Sequence, residues 1–235
     1  MAGWSSPSGR QRSRQTEPMS APEQFVTRTV ASGIRFGEGP RWHDGQLWFS
    51  DFFDHAIKTL EPDGSLTVRH ELDDRPSGLG WMPDGSLLAV AMTSRSVRRI
   101  SPDGAQSLHA DLGHIATFHC NDMVVDHLGR AYVGNFGFDL DAAITGGDFA
   151  GALARYSGAN LALVYPDGST QVVATGLLFP NGMVIAGDTL IVAESLGRRL
   201  TAFTIGDDGS LSNQRIWAEL GTAVPDGIAL TDDGQ

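Results

Sequence analysis

The chain has 235 residues, enough for one large β domain or two small domains, and 41% of them are hydrophobic. Acidic residues outnumber basic ones, 28 to 17, and the sequence pI of about 4.9 argues against a nucleic-acid partner. The one cysteine, Cys120, excludes an intrachain disulfide and a zinc site built from cysteines. The 29 glycines predict many tight turns between short strands.

The N-terminal segment differs in composition from the rest of the chain. Residues 1–24 are rich in Ser, Arg, Gln and Pro and contain no apolar stretch, so we expect a disordered tail rather than a signal peptide. No apolar run in the sequence approaches the ~20 residues of a membrane span. The sequence therefore predicts a β domain over residues 25–235, a cytoplasmic location and no membrane partner.

One phrase recurs along the chain: a polar residue, usually followed by Gly, then a short apolar strand, a turn and a second apolar strand. We call these opening polar residues the unit heads, and they are Glu38, Ser77, Asn121, Asn181 and Asp226. Their spacings are 39, 44, 60 and 45 residues. A unit of four strands in about 40–45 residues is typical of a β-propeller blade. Pro-Asp-Gly and Asp-Asp-Gly segments predict the turns between strands.

The number of units predicts an incomplete ring. Four units are complete, and the sequence stops at Gln235, just inside the fifth. At the usual blade length a closed ring would need roughly 60–80 further residues. We therefore expect a chain truncated at its C-terminus, with exposed sheet edges.

The unit heads predict a cation site. The first strand of each propeller blade lines the central channel, so residues at these strand starts are expected to converge there. Carboxylate and amide oxygens in one funnel suit Ca²⁺, Mg²⁺ or Mn²⁺. The alternative is that Asn, Asp and Ser at strand starts are ordinary turn residues.

The heads and the strands that follow them resemble the SMP-30/gluconolactonase/luciferin-regenerating family of six-bladed β-propellers. The matching segments are "FGEGPRWHDGQLWFSD", "CNDMVVDHLGRAYVGN", "FPNGMVIAGDTLIVAES" and "PDGIALTDDG". The resemblance implies an all-β, six-bladed propeller that holds one divalent cation. It implies Glu38, Asn181 and Asp226 as the metal ligands, with Ca²⁺ as the expected ion and Zn²⁺, Mg²⁺ and Mn²⁺ as alternatives.

The resemblance also implies a reaction, the hydrolysis of a lactone such as gluconolactone. The cation would polarise the carbonyl, and Asp226 would act as the general base. Asn121 and His119 would orient the substrate, although the family often carries Arg where this sequence has His119. Asn135 ends a strand and could also face the channel, or serve as a turn residue. The alternatives are a non-catalytic Ca²⁺-binding propeller and a hydrolase of other esters or organophosphates.

The third unit is about 15 residues longer than its neighbours, and the extra length lies near residues 139–158. Long loops on a rigid scaffold often form lids or binding walls, so this segment is either a lid or a tolerated surface insertion.

Three other features have simpler interpretations. The spacing of His109, His114 and His119 argues against a histidine metal site. Ser195 lies in "AESLG", which lacks the first Gly of a nucleophile elbow. Cys120 is expected to be a buried, inert thiol that points away from the channel.

Overall fold

A computed structural model describes residues 27–231 of the chain. The chain divides into two compact units, residues 1–30 and residues 31–235. Of the first unit only residues 27–30 are described, and they form neither helix nor strand. The disordered tail predicted for residues 1–24 lies outside the described residues.

The second unit is built from four antiparallel sheets, each a meander of four strands in chain order. The first sheet contains β1 (Gly37–His43), β2 (Gln46–Asp51), β3 (Ala56–Leu60) and β4 (Leu66–Glu71). The second sheet contains β5 (Pro76–Trp81), β6 (Leu87–Ala91), β7 (Ser96–Ile100) and β8 (Gln106–Asp111). The third sheet contains β9 (Cys120–Val125), β10 (Ala131–Asn135), β11 (Ala159–Val164) and β12 (Thr170–Leu177). The fourth sheet contains β13 (Pro180–Ala186), β14 (Thr189–Glu194), β15 (Arg199–Ile205) and β16 (Leu211–Glu219).

The turns follow the predicted Asp-Gly chemistry. In five of them the Asp side chain accepts a hydrogen bond from the backbone N–H two residues later, and the intervening Gly has a φ between 82° and 87°. The bonds join Asp63 to Ser65, Asp84 to Ser86, Asp103 to Ala105, Asp167 to Ser169 and Asp208 to Ser210. Because only Gly adopts that φ without strain, these tripeptides set where neighbouring strands turn back.

The first strands of the four sheets lie side by side, in the order β1, β5, β9, β13. A glycine next to three of the heads makes this closeness possible. A Cβ at Gly39 would lie 2.9 Å from the Ser77 carbonyl oxygen, and one at Gly78 would lie 2.3 Å from the Met123 nitrogen. At Gly182 a Cβ would lie 2.6 Å from the Asp226 carbonyl oxygen. The backbones of adjacent inner strands therefore touch at Gly39 and Gly78, and β13 touches the segment of Asp226 at Gly182.

Apolar side chains fill the space between adjacent sheets. Ile57 and Leu79 meet between the first and second sheets, and a larger cluster that includes Met123 lies between the second and third. Tyr132 and Phe203 belong to the cluster between the third and fourth sheets. Buried apolar area is the main favourable term in folding, so these three clusters hold the sheets at fixed angles around the inner strands.

The prediction of six blades is wrong for this chain. The residues described, 27–231, form a β-propeller arrangement of four blades, because sixteen strands pair into four sheets of four. The fifth head, Asp226, opens no strand: the backbone from Leu220 to Thr231 is irregular. Extended backbone forms a strand only when a neighbour pairs its N–H and C=O groups, and this segment has no sheet partner among the residues described.

The long third unit contains two short helices, α1 (Leu140–Thr145) and α2 (Phe149–Arg155). The N-cap of α1 is Asp139, whose carboxylate accepts a hydrogen bond from the Ala142 N–H. Asp148 caps α2 in the same way through the Gly151 N–H. An Asp at the start of a short segment is a sequence signal for a helix N-terminus, and the all-β prediction overlooked it at both positions. No helix within residues 27–231 is long and apolar enough to cross a membrane.

Candidate metal and substrate site

Four of the predicted heads stand on the four adjacent inner strands. Glu38 is on β1, Ser77 on β5, Asn121 on β9 and Asn181 on β13. The fifth head, Asp226, reaches the same region from the irregular segment that follows β16. The Gly182 N–H donates to the Asp226 carbonyl oxygen at 3.1 Å, which places Asp226 beside β13.

The electrostatics of the heads centre on Glu38, which is half-buried. Burial, together with the negative charges of Asp226 and then Asp122, raises the pKa of the Glu38 carboxyl to about 7. The backbone N–H of Gly39 opposes that rise. Three carboxylates are thus close enough to repel one another, and a cation among them would relieve the repulsion.

The oxygen atoms present fit a hard divalent cation. Glu38 and Asp226 offer carboxylates, and Asn181 offers an amide oxygen because its Nδ2 donates to Ser195 Oγ at 3.2 Å. The hydroxyl of Ser77, a further head, is buried with no hydrogen-bond partner among residues 27–231. In the part of the chain that the structure describes, no group of three or more His, Cys, Asp and Glu side chains is arranged for a metal. A site here therefore depends on the amide.

The family model of the SMP-30/gluconolactonase/LRE-like region matches residues 36–235, which include all five heads. The chain belongs to this family. The resemblance to this family that the sequence motifs predicted is therefore confirmed.

Individual relatives agree with the family. The pentonolactonase XacC of Haloferax volcanii is 26% identical over 219 residues, which cover 89% of this chain and 68% of that protein. A gluconolactonase from Xanthomonas campestris has a similar fold, with a TM-score of 0.69, 22% identity, and coverage of 88% of this chain and 70% of that one. Regucalcin, a calcium-binding protein from Agrobacterium tumefaciens, has a TM-score of 0.64 and 18% identity. The chain, of which 83% is matched, covers 63% of that regucalcin.

The predicted substrate residues occupy different environments in this family member. Asn121 is 5% exposed, and its Nδ2 donates to the Pro180 carbonyl oxygen at 3.4 Å, so it lies between β9 and β13. Asn135 is 1% exposed, donates to the Asn160 carbonyl oxygen at 2.8 Å and accepts from the Gly137 N–H at 3.0 Å. The structure places Asn121 among the heads, whereas the Asn135 amide holds backbone groups.

His119 stands two residues before Asn121 and is half-buried. Its ring stacks on Phe118 with centroids 4.1 Å apart and lies 6.2 Å from Phe136. Burial lowers the pKa of His119, and the charge of Asp141 on α1 opposes that effect. A neutral imidazole can either donate or accept a hydrogen bond.

An aromatic wall, which the sequence did not predict, continues from His119 toward the insertion. Phe136 stacks on Phe179 at 4.8 Å, and Phe138 lies 5.0 Å from Tyr156. Phe179 has a φ of 63°, unusual for a bulky residue, and its N–H donates to the Tyr156 hydroxyl at 2.8 Å. That hydroxyl donates in turn to the Leu177 carbonyl oxygen at 3.0 Å. The insertion thus fixes the backbone that leads into Asn181.

The two helices of the insertion border an open pocket of about 340 Å³ next to this wall. Phe138, Asp148 and Tyr156 are among the residues that line it. Neither helix was predicted, and the side chains of this wall come from chain segments that no sequence pattern connects.

A buried ion pair was also missed. Arg41 Nη2 lies 2.7 Å from Asp122 Oδ1, although the two residues are 81 positions apart. No local motif marks a partner on another sheet, so sequence reasoning could not have paired them.

The remaining candidates lie elsewhere. His114 Nε2 contacts Thr170 Oγ1 at 3.2 Å, whereas His109 Nε2 is buried and has no hydrogen-bond partner among the described residues. Cys120 is fully buried, and burial raises the pKa of its thiol to about 12. It is the inert thiol that the sequence predicted.

Proposed function

We propose that this protein is a metal-dependent hydrolase that opens lactones, with a sugar lactone such as gluconolactone as the first candidate. The observation that carries the proposal is the half-buried Glu38 carboxylate, whose pKa is raised by burial and by two neighbouring acids, Asp226 and Asp122. Perturbed carboxyls of this kind cluster at functional sites. The pentonolactonase and gluconolactonase relatives support the reaction class.

Glu38, Asn181 and Asp226 would hold the cation, which when bound polarises a lactone carbonyl and lowers the pKa of a bound water. Asp226 is exposed, so a water molecule can reach its carboxylate. It accepts the proton of the attacking water as general base. Asn121 and His119 orient the substrate oxygens. Ca²⁺ is the proposed ion, since its ligands in proteins are oxygen atoms and regucalcin, a structural neighbour, is a calcium-binding protein.

A lactone panel tests the proposal. The purified protein is assayed against sugar lactones, alkyl lactones, simple esters and an organophosphate, first as isolated, then after EDTA, then with Ca²⁺, Mg²⁺, Mn²⁺ or Zn²⁺ restored. We expect lactone turnover that EDTA abolishes and one cation restores. Lactone turnover that is insensitive to EDTA would contradict the metal site.

The same assay separates the two alternatives. A non-catalytic Ca²⁺-binding propeller, the function that the likeness to regucalcin favours, predicts calorimetric Ca²⁺ binding without turnover of any substrate in the panel. A hydrolase of other esters predicts faster turnover of esters or organophosphates than of any lactone.

A further inference from the structure

We propose that Ser195 is a positioning residue that fixes the side-chain amide of Asn181, so that its oxygen faces the cation. The inference rests on the proposed function, because Asn181 is one of the ligands proposed there. Sequence reasoning considered Ser195 only as a nucleophile and rejected that role.

The contacts of the Ser195 hydroxyl carry this inference. Ser195 directly follows β14 and is 7% exposed. Its Oγ donates to the Pro225 carbonyl oxygen at 2.6 Å and accepts from Asn181 Nδ2 at 3.2 Å. One hydroxyl therefore joins a proposed ligand, Asn181, to the residue that precedes another proposed ligand, Asp226.

The donors and acceptors available in this hydrogen-bond chain determine the orientation of the Asn181 side-chain amide. A backbone carbonyl can only accept, so the single Ser195 hydroxyl proton goes to Pro225. The serine oxygen then has only lone pairs left for the Asn181 side chain, which must present its NH₂ group there. The Asn181 Oδ1 is consequently turned away from Ser195. This assignment follows from the network itself, which is how amide orientations are determined.

The backbone around this hydroxyl is held as well. The Ser195 N–H donates to the Phe179 carbonyl oxygen at 3.1 Å, and Glu194 Oε2 accepts from the Leu178 N–H at 2.7 Å. The Gly182 N–H donates to the Asp226 carbonyl oxygen. The hydroxyl therefore acts between two segments whose separation is already set, and its specific contribution is to the Asn181 amide.

The chain offers a matched control in the first sheet. Ser50 is fully buried near the end of β2, and its Oγ donates to the Ser77 carbonyl oxygen at 2.6 Å. This bond has the same donor, acceptor type and length as the bond from Ser195 to Pro225. It tethers an inner strand, but Ser77 is not one of the proposed ligands.

The experiment is calorimetric titration of Ca²⁺ into the metal-free protein. We expect Ser195→Ala to weaken Ca²⁺ binding about tenfold or more, since the freed amide can turn its NH₂ group toward the site. Ser50→Ala should change the affinity less than about threefold. Ser195→Thr keeps the hydroxyl and should remain within about threefold of the unsubstituted protein. Equal losses in Ser195→Ala and Ser50→Ala would mean general loosening between sheets and would overturn the inference.

Repeating the Ser195→Ala substitution in a variant of Asn181 tests the orientation of the side-chain amide by itself. Asn181→Asp places an oxygen toward the site whichever way the group turns, so adding Ser195→Ala should then cost less than about threefold. A full tenfold loss in this background would show that Ser195 does not act through the amide.

Two further outcomes separate this inference from the proposed site. If Glu38→Ala weakens Ca²⁺ binding but Ser195→Ala does not, the metal site stands and the positioning role falls. If neither Glu38→Ala nor Asn181→Ala weakens it, the site itself fails and the inference with it. Should Ser195→Ala not fold, hydrogen exchange of the Asn181 side-chain amide in the unsubstituted protein decides. A protected proton supports the bond to Ser195, and exchange at the rate of an exposed amide overturns it.

Discussion

Arg41 on β1 reaches Asp122 on β9, with its Nη2 2.7 Å from Asp122 Oδ1 and also 2.7 Å from the Met123 carbonyl oxygen. The Asp122 side chain is 8% exposed, and the Arg41 side chain is 23% exposed. The pair therefore joins the first and third sheets and places a positive charge beside the carboxylates of the site.

This pairing predicts that Arg41→Met is strongly destabilising. Removing one partner of a buried ion pair leaves the other charge uncompensated, at a cost of about 3–5 kcal/mol. Since Arg41 is partly exposed, we expect the lower end of that range. Denaturant unfolding measures the change in the free energy of unfolding.

A double variant provides the control for the Arg41 prediction. Asp122→Asn removes the charge that Arg41→Met leaves unpaired, so the double variant should be more stable than Arg41→Met alone. If the two substitutions simply add, the ion pair does not act as a unit.

The raised pKa of Glu38 predicts that cation binding depends on pH. The carboxyl titrates at about 7, and a cation binds only the deprotonated form. Below pH 7 protons therefore compete with the cation, and Ca²⁺ affinity should fall by about tenfold per pH unit. Above pH 8 it should be flat. Calorimetry at pH 5.5, 6.5 and 8 measures this, together with the proton released on binding.

Glu38→Gln is the matched control for the pH experiment. This variant should bind Ca²⁺ weakly at every pH and lose the dependence near pH 7, because the amide does not titrate. An affinity that is constant from pH 5.5 to 8 in the unsubstituted protein would mean that Glu38 is not a ligand.

The proposed ligands should each matter individually. Glu38→Ala and Asn181→Ala should each weaken Ca²⁺ binding at least tenfold, on the order of 1.4 kcal/mol. Asn213→Ala, which removes an exposed amide from the outer strand β16, should not change the affinity. Unchanged Ca²⁺ affinity in both Glu38→Ala and Asn181→Ala would contradict the proposal that the two residues share one metal site.

Asp226→Asn separates an enzyme from a sensor. Asn keeps an oxygen ligand but cannot act as a carboxylate base at neutral pH. We expect lactone turnover to fall by ~10²–10⁴, the usual value of general-base assistance, with a much smaller loss of metal affinity. The decisive measurement is turnover at saturating cation, where full recovery of the rate would mean that Asp226 is only a ligand.

Because the two helices of the insertion border a pocket next to the aromatic wall, we predict that removing them changes the substrate preference. Replacing residues 139–155 with a Gly/Ser linker removes both helices but keeps Tyr156 and its bonds to residues 177–179. We expect altered kcat/KM ratios across the lactone panel and an unchanged Ca²⁺ affinity, because the proposed ligands lie outside the segment. Identical ratios would show that the helices do not border the substrate.

Local periodic patterns were readable from the sequence, and contacts between distant segments were not. The Asp-Gly turns and the alternation of short strands predicted four units, and all four form sheets of four strands. The Asp126 side chain likewise accepts hydrogen bonds from the nearby Leu128 and Arg130 N–H groups. Each of these features depends on residues only a few positions apart.

The errors have a common physical cause. The count of six blades came from family likeness and not from the strands present, and the segment around Asp226 forms no sheet with the residues described, 27–231. Arg41 and Asp122 are brought together only when three sheets pack. The positioning role proposed for Ser195 depends on its hydrogen bond to the Pro225 carbonyl, 30 residues away. Such contacts leave no periodicity in the sequence.

The glycines that follow three of the heads have a consequence for how such a protein can change over evolutionary time. Because backbone meets backbone at Gly39, Gly78 and Gly182, the spacing of the inner strands does not depend on which side chain the neighbouring head carries. A head can therefore be exchanged by a single mutation without altering the frame that holds the others. New specificities can arise one residue at a time, whereas a Cβ at any of the three glycines would push the neighbouring backbone away.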